Sequence, residues 1–544
     1  MMYNGSVILI YYLNGGVKMS QFTQKETNGL YELTDVARAQ LVDSKYYNED
    51  LEPSSVSQRT WTTYNITALW VGMCICIPSL SLASAAIALG LSPWLAILNV
   101  VLGNVIVLIP IQLNSHAGTK YGIPFPVFAR LTFGATGAHV PSVMRGLVAC
   151  GWVAVQSWVG GGAIAAILGT GFAFFRDNTI TVALPGNDAV VVGQLIGFFI
   201  FMIFVAWVAY NGFENIKWVQ NIGSPILVVV IALLLAWSIA IVIGAGYSVG
   251  EVMRQGIDWA TLEASGGFVY VFAACLTGNI AFWATMALNI PDFSRYAKSQ
   301  KVQFRGQLYG VPIPMFVMAF VGAYFAQATK LVMGEALFDP TNVFYYVDNK
   351  LVIIVCAIGV VLATLTTTVA ANVVAPANGF SNLSPQRISY RKGVIIACII
   401  ATFVFQPWWI YGSGAAYIFT WMNNYGMILA PIAAIFVADY YLCKQRRIDV
   451  AALYAGDKGR YWYSNGINWA AIIAWVAAFI LPLLGNTVWL YKGGVPTVMD
   501  HISANGYIFS FIVGLVVYVL LMKSPSFTKD SFITAEEEAA MTER

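Results

Sequence analysis

A chain of 544 residues that is 58% hydrophobic and 10% charged, with a mean hydropathy of +0.70, cannot clothe itself in ordinary water-facing surface. Soluble domains carry about 25% charged residues. An aromatic content of 14% excludes a solvated, disordered chain. A net charge of +3 with no lysine-rich tract excludes nucleic acid as a partner. What remains is an all-α polytopic protein whose main partner is the lipid bilayer.

In chain order, residues 7–13 form an apolar run too short to span, with no basic residue before it, so it is neither signal peptide nor membrane helix. The chain then stays polar to about Gln58, and residues 1–60 are expected to form a polar cytoplasmic tail. Met19 is a second possible start, which would make residues 1–18 an upstream extension. A spanning helix needs about 20 apolar residues. Twelve runs meet that need: 66–91, 93–115, 141–173, 189–211, 218–245, 266–290, 308–329, 350–378, 393–410, 413–441, 467–488 and 504–522. They define a transporter-sized domain over 61–522, followed by a tail over 523–544.

Basic residues orient the bundle, because Lys and Arg concentrate in cytoplasmic connections. Even-numbered connections hold Lys120 and Arg130, then Lys217, then Arg295, Lys298, Lys301 and Arg305. Arg387, Arg391 and Lys392 follow, and then Lys444, Arg446, Arg447, Lys458 and Arg460. Odd-numbered connections hold only Arg176, Arg254, Lys330 with Lys350, and Lys492. Both termini are therefore expected in the cytoplasm, with the chain in the cell membrane.

Ionisable groups inside the spans are few. Arg145, Asp292 and Asp439 lie near span ends and read as interfacial anchors. The seven cysteines show no metal-ligand spacing to His116, His139 or His501, and read as packing residues. Without a carboxylate or histidine at midplane depth, the expected substrate is uncharged. Any coupling ion would be held by carbonyls and hydroxyls, which suits sodium.

Broken helices at matching places in two halves point to a transporter site. Span one carries Pro78, which frees carbonyls around Cys74. Span six carries Gly278 and Asn279, poor helix residues, and is closed by Pro291. The spacing fits a five-plus-five inverted repeat with two trailing helices. In span three, Trp152 and Gln156 are one turn apart and share a face. The Gln156 amide matches the edge of a lactam or cyclic imide, and the Trp152 indole matches its flat face. Trp283 in span six and Asn372 in span eight, after the hydroxyl run Thr364, Thr366, Thr367 and Thr368, complete a clamp for a flat, neutral heterocycle. Each of these residues alone also suits helix packing.

The wording of the chain resembles the nucleobase–cation symporters of the first class, among them a bacterial sodium–hydantoin transporter and uracil and allantoin permeases. The resemblance runs from about Leu51 to Leu521. It is carried by NEDLEP and RTW before span one, GIPFPVFARLTFGATGAHVP before span three and GWVAVQSW within it. ALNIPDFSRYAKS, ATLTTTVAANVVAPANG, ADYYL and INW carry it onward. It implies a twelve-helix LeuT-like fold with helices one and six broken. It also implies ring stacking by Trp152 and Trp283 and edge bonding by Gln156 and Asn372. Sodium ligation is implied at the carbonyls of Gly72, Ile75 and Ala363 and the hydroxyls of Thr366 and Thr367. Two departures from the hydantoin transporter fall in the site. Cys76 stands where that protein has glutamine, and Phe282 where it has glycine.

The expectation is secondary active import of a neutral nucleobase or related ureide, with no resident cofactor and sodium as coupling ion. The alternatives are a proton-coupled or uncoupled carrier, and a membrane-embedded enzyme, for which no Asp, His or Cys cluster is visible. No phosphate loop for ATP-driven transport occurs.

Overall fold

The computed structural model describes residues 22–544 apart from 178, 186, 212, 338–342, 345, 348, 409–414, 486–494, 529, 530 and 544. The apolar run at 7–13, Met19 and Lys492 lie outside the described residues, as does the side chain of Lys217. Helix occupies each of the twelve apolar runs. Among the described residues, six helical segments are long and apolar enough to cross a membrane, and up to eight if each of two bent pairs is one span. Shorter apolar helices such as Phe268–Ala281 fill other runs.

The helices that build the site are α1 (Thr63–Cys74), α2 (Ile77–Ala88), α3 (Pro93–Tyr121), α4 (Phe125–Phe133) and α5 (His139–Gly169), followed by α6 (Phe268–Ala281), α7 (Ala284–Asn289), α8 (Lys350–Thr367) and α9 (Val374–Leu383). Between α1 and α2 the chain bends by 54°. Cys76 is extended there, and Pro78 sits in the first turn of α2, where its missing N–H costs nothing. A straight helix would drive the Pro78 ring into the carbonyl of Cys74.

Span six breaks later than its weak helix formers suggest. α6 runs through Gly278 and Asn279, and the interruption falls at Phe282 and Trp283, with α7 beginning at Ala284. Gly278 serves packing, since a Cβ there would lie 2.5 Å from the Phe419 ring. Span eight carries a widened π turn, Thr368–Val373, between α8 and α9.

Two regions depart from the expected polar tails. Gln24–Thr27 and Leu30–Leu33 form an antiparallel hairpin, and Thr542–Glu543 adds to it as a parallel strand. Behind it, Arg59 is buried and donates to the carbonyls of Ser54 and Thr119. Both ends of the described chain are thus packed against one face of the bundle. The helix α4 is buried along its whole length, and at nine residues it is too short to register as a span.

Candidate functional site

Met73, Cys76, Trp152, Gln156, Phe282, Trp283, Thr285, Met286, Thr367, Ala371 and Asn372 line one cavity. All six side chains expected to bind substrate are among them. The surrounding atoms leave about 320 Å³ of space, of which only about 20 Å³ is wide enough for a water molecule. Among the described residues no ionised side chain lines it. The cavity sits where α1 gives way to α2 and α6 to α7, so both interruptions face the same space.

Its walls are held in place by contacts that spend the indole N–H groups. Trp152 Nε1 donates to the Tyr425 hydroxyl at 3.2 Å, which in turn donates to the Ala281 carbonyl at 3.0 Å. Trp283 Nε1 donates to Asn104 Oδ1 at 2.7 Å. The two indoles can therefore offer a ligand their faces and edges but no donor. Phe282 stands edge-on to both, with ring centres 5.1 Å from Trp152 and 4.9 Å from Trp283. It thus occupies the room that a glycine would leave open. Cys76 puts its sulfur 3.2 Å from Ser79 Oγ, a weaker polar contact than an amide would make.

The polar edge comes from α5 and the π turn. Gln156 Oε1 accepts from Thr368 Oγ1 at 2.8 Å and from Asn372 Nδ2 at 3.3 Å. Gln156 Nε2 and Asn372 Oδ1 have no protein partner among the described residues, and both side chains face the cavity. A planar ring carrying a carbonyl beside an N–H would satisfy both.

Four of the five expected cation ligands also gather. Thr367 Oγ1 lies 3.3 Å from the Gly72 carbonyl and 3.2 Å from that of Ala363, while Thr366 Oγ1 donates to Ala363 at 2.6 Å. Ile75 stands in the break itself and packs on the apolar cluster containing Ala363. No carboxylate joins this group, and among the described residues no cluster of three His, Cys, Asp or Glu could hold a metal. Neutral oxygens from two elements are hard donors. The residues that sequence reasoning passed over are Asn104 and Tyr425, which orient the two indoles; Thr368 is legible there only as part of a hydroxyl run, without its bond to Gln156. Asn104 had a signal, being an amide within an apolar run; Tyr425 had none.

Arg145, Asp292 and Asp439 are not interfacial anchors. Arg145 is 1% exposed and donates from Nε to Asn289 Oδ1 and from Nη2 to the Ala371 carbonyl, both at 3.0 Å. Asp292 accepts from the Phe125 N–H at 2.9 Å and from Asn289 Nδ2 at 3.4 Å. Asp439 and Lys444 form a buried pair at 2.5 Å, with Thr132 and Tyr518 donating to the same carboxylate. The penalty for taking a charge out of water is large unless partners replace the water, and most of these groups have such partners.

A helical bundle with discontinuous helices around a small, uncharged cavity is the architecture of a membrane transporter. The chain belongs to the family of permeases for cytosine and purines, uracil, thiamine and allantoin, whose match covers residues 53–514. It is a multi-pass membrane permease and not an enzyme. It is 35% identical to a purine-uracil permease of Arabidopsis thaliana over 488 residues, which is 88% of this chain and 78% of that one. It is 31% identical to an allantoin permease of Bacillus subtilis, over 89% of this chain and 95% of that one. Its fold is similar to that of Mhp1, a nucleobase-cation-symport-1 family transporter solved closed with bromovinylhydantoin bound, with a TM-score of 0.67 and 22% identity over 91% of this chain and all of that one. The inward-facing form of Mhp1 gives a TM-score of 0.70 at 21% identity, over 92% of this chain and 99% of that one.

Proposed function

We propose that this chain is a secondary active symporter that imports a neutral, planar nucleobase or related ureide by alternating access. In this reading twelve helices cross the membrane, ten of them as a five-plus-five inverted repeat, with both termini in the cytoplasm. The observation that carries the reading is the meeting of two indoles and two carboxamides, from three separate parts of the chain, at one cavity that no ionised group among the described residues lines. An ionic substrate would need a buried counter-charge there, whereas a uracil, allantoin, hydantoin or purine ring would find stacking faces, a donor at Gln156 and an acceptor at Asn372. The names of the relatives, purine-uracil and allantoin permease, support the same chemical class.

Sodium is the coupling ion in this proposal, held by carbonyls of Gly72, Ile75 and Ala363 and hydroxyls of Thr366 and Thr367. The oxygens converge without fixed negative charge, so the site would be weak and its occupancy would depend on substrate. Uptake of radiolabelled uracil, allantoin, hydantoin, cytosine and guanine, with and without sodium, tests both halves. Sodium-stimulated uptake of at least one ring supports them, and sodium-independent uptake leaves the transport reading and removes the ion. Failure to carry any of the five rings sinks the substrate class.

A further inference from the structure

We propose that Thr368 is a positioning residue for the substrate site, setting which edge of the Gln156 amide faces the cavity. The inference rests on the reading of Gln156 as a substrate ligand and goes beyond it.

Thr368 is wholly buried, does not line the cavity and opens the π turn of span eight. Its Oγ1 lies 2.8 Å from Gln156 Oε1 and 2.6 Å from the Thr364 carbonyl. A hydroxyl carries one proton and can give it to only one of the two. Given to Gln156, it joins the 3.3 Å bond from Asn372 Nδ2 and fills both acceptor sites of Oε1. The two N–H bonds of Gln156 Nε2 are then the part of the amide left for a ligand, and the group recognised beside α5 is a ring carbonyl.

Given to Thr364, the ordinary back-bond of a helical threonine, the proton leaves the Thr368 oxygen as an acceptor. The Gln156 amide would then gain by turning its nitrogen toward Thr368 and its oxygen toward the cavity, where it would repel a carbonyl. Asn372 alone would oppose that turn, through the longer of the two bonds. Thr368 and Asn372 are four residues apart and meet the same oxygen, so one turn of span eight holds the amide from two sides. That turn also continues directly from Thr366 and Thr367, which face the Ala363 carbonyl. A shift of the cation-side hydroxyls is thus one peptide away from the group that orients the substrate ligand.

Thr368→Val keeps the shape and removes the proton, and Thr368→Ser keeps the proton and loses a methyl. Binding of uracil, allantoin, hydantoin, cytosine and guanine to the purified full-length protein is measured in the native chain, in both variants, in Gln156→Ala and in Gln156→Ala with Thr368→Val. Thr368→Val should weaken binding about tenfold, and Thr368→Ser should restore it to within about twofold. In the Gln156→Ala background Thr368→Val should change nothing further, because the group it orients is gone. An equal loss in both backgrounds, or a Ser variant as weak as the Val variant, would assign Thr368 to packing alone and overturn the proposal. Unchanged binding in Thr368→Val with weakened binding in Gln156→Ala overturns this inference and leaves the site reading standing. If Gln156→Ala binds normally, or the native chain binds none of the five rings, the site reading falls and this inference with it. A monodisperse elution profile and an unchanged melting temperature show that each variant is folded.

Discussion

Two polar regions of this bundle are built on opposite rules. Around the cavity, Gln156 Oε1 accepts from Thr368 and from Asn372, yet Gln156 Nε2 and Asn372 Oδ1 are left turned toward open space. Toward the face that carries both termini, the charged groups Asp439 and Arg130 find their partners within the protein itself. Asp439 receives Lys444, Thr132 and Tyr518. Arg130 donates from Nε and Nη2 to Asn382 Oδ1. The cavity keeps hydrogen-bonding capacity on its two amides for something that is not protein, whereas the layer beneath it spends its carboxylates and guanidinium groups mainly on protein partners, with single buried atoms such as Arg59 Nε and His139 Nδ1 left over. Polar atoms left open in a membrane interior cost free energy, and at the cavity they line a space that a ligand can enter. The closed layer is the more charged of the two, and in that sense charge here marks structure while neutral amides mark function.

The sharpest way to break this contrast is to open the closed layer. Lys444→Ala leaves the Asp439 carboxylate buried without its ammonium partner, which should cost about 3–5 kcal/mol. The expected readout is a large fall in melting temperature of the purified protein, or failure to accumulate in the membrane. Asp439→Leu with Lys444→Met removes both charges and should recover much of that loss. Native stability in Lys444→Ala would mean that the layer is not what holds this face together.

The cavity should respond the other way. Gln156→Ala should weaken substrate binding by about 1–3 kcal/mol and Trp152→Ala should weaken it through lost stacking area, with the melting temperature little changed by Gln156→Ala. Normal transport by both variants would remove the cavity from the mechanism. Next in size is the ion. Thr366→Ala with Thr367→Ala should abolish the sodium dependence of substrate affinity, a coupling typically worth 1–3 kcal/mol and equal in both directions. A sodium titration at fixed ionic strength reads it directly. A flat response in the native chain would exclude sodium coupling outright.

How much of this could be read from sequence follows from the range of each interaction. The break at Pro78 was legible because proline acts on its own helix. Trp152 with Gln156 was legible because one turn separates them, and Thr366 with Thr367 because hydroxyls in a run stand out against apolar neighbours. The location of the second break was not legible, since Gly278 looks like a weak point and serves instead as a seat for Phe419. The Asp439–Lys444 pair escaped notice for a geometric reason. Five residues separate them, a spacing that an α-helix does not bring together, but the π turn Ala438–Cys443 does, with the Lys444 N–H on the Asp439 carbonyl at 2.7 Å. The hairpin Gln24–Leu33 was hidden in a polar segment because its strands are four residues each and lean on chain ends more than 500 residues away.

The smallest expected effect lies outside the membrane and tests whether charge at the opposite rim is structural too. Asp258 caps a short helix through the Thr261 N–H and meets Lys330 at 2.8 Å, with both side chains about a third exposed. The bond from the Lys330 ammonium, with those from Thr261, lowers the Asp258 carboxyl from 3.8 to about 2. A folded-state value below the unfolded one means stability that is fully present above about pH 4 and fades as the pH falls toward 2. Lys330→Met removes the largest of those causes, and because the pair is partly screened by water the loss should be under about 1 kcal/mol at neutral pH. The gap in melting temperature between native and variant chains should therefore be small and constant from pH 7 to 5, narrow below 4 and nearly vanish by 2. A gap that widened on acidification would mean that Lys330 stabilises the fold through contacts other than the Asp258 carboxylate. A gap as large as that of Lys444→Ala would erase the distinction between exposed and buried pairs on which the comparison of regions depends.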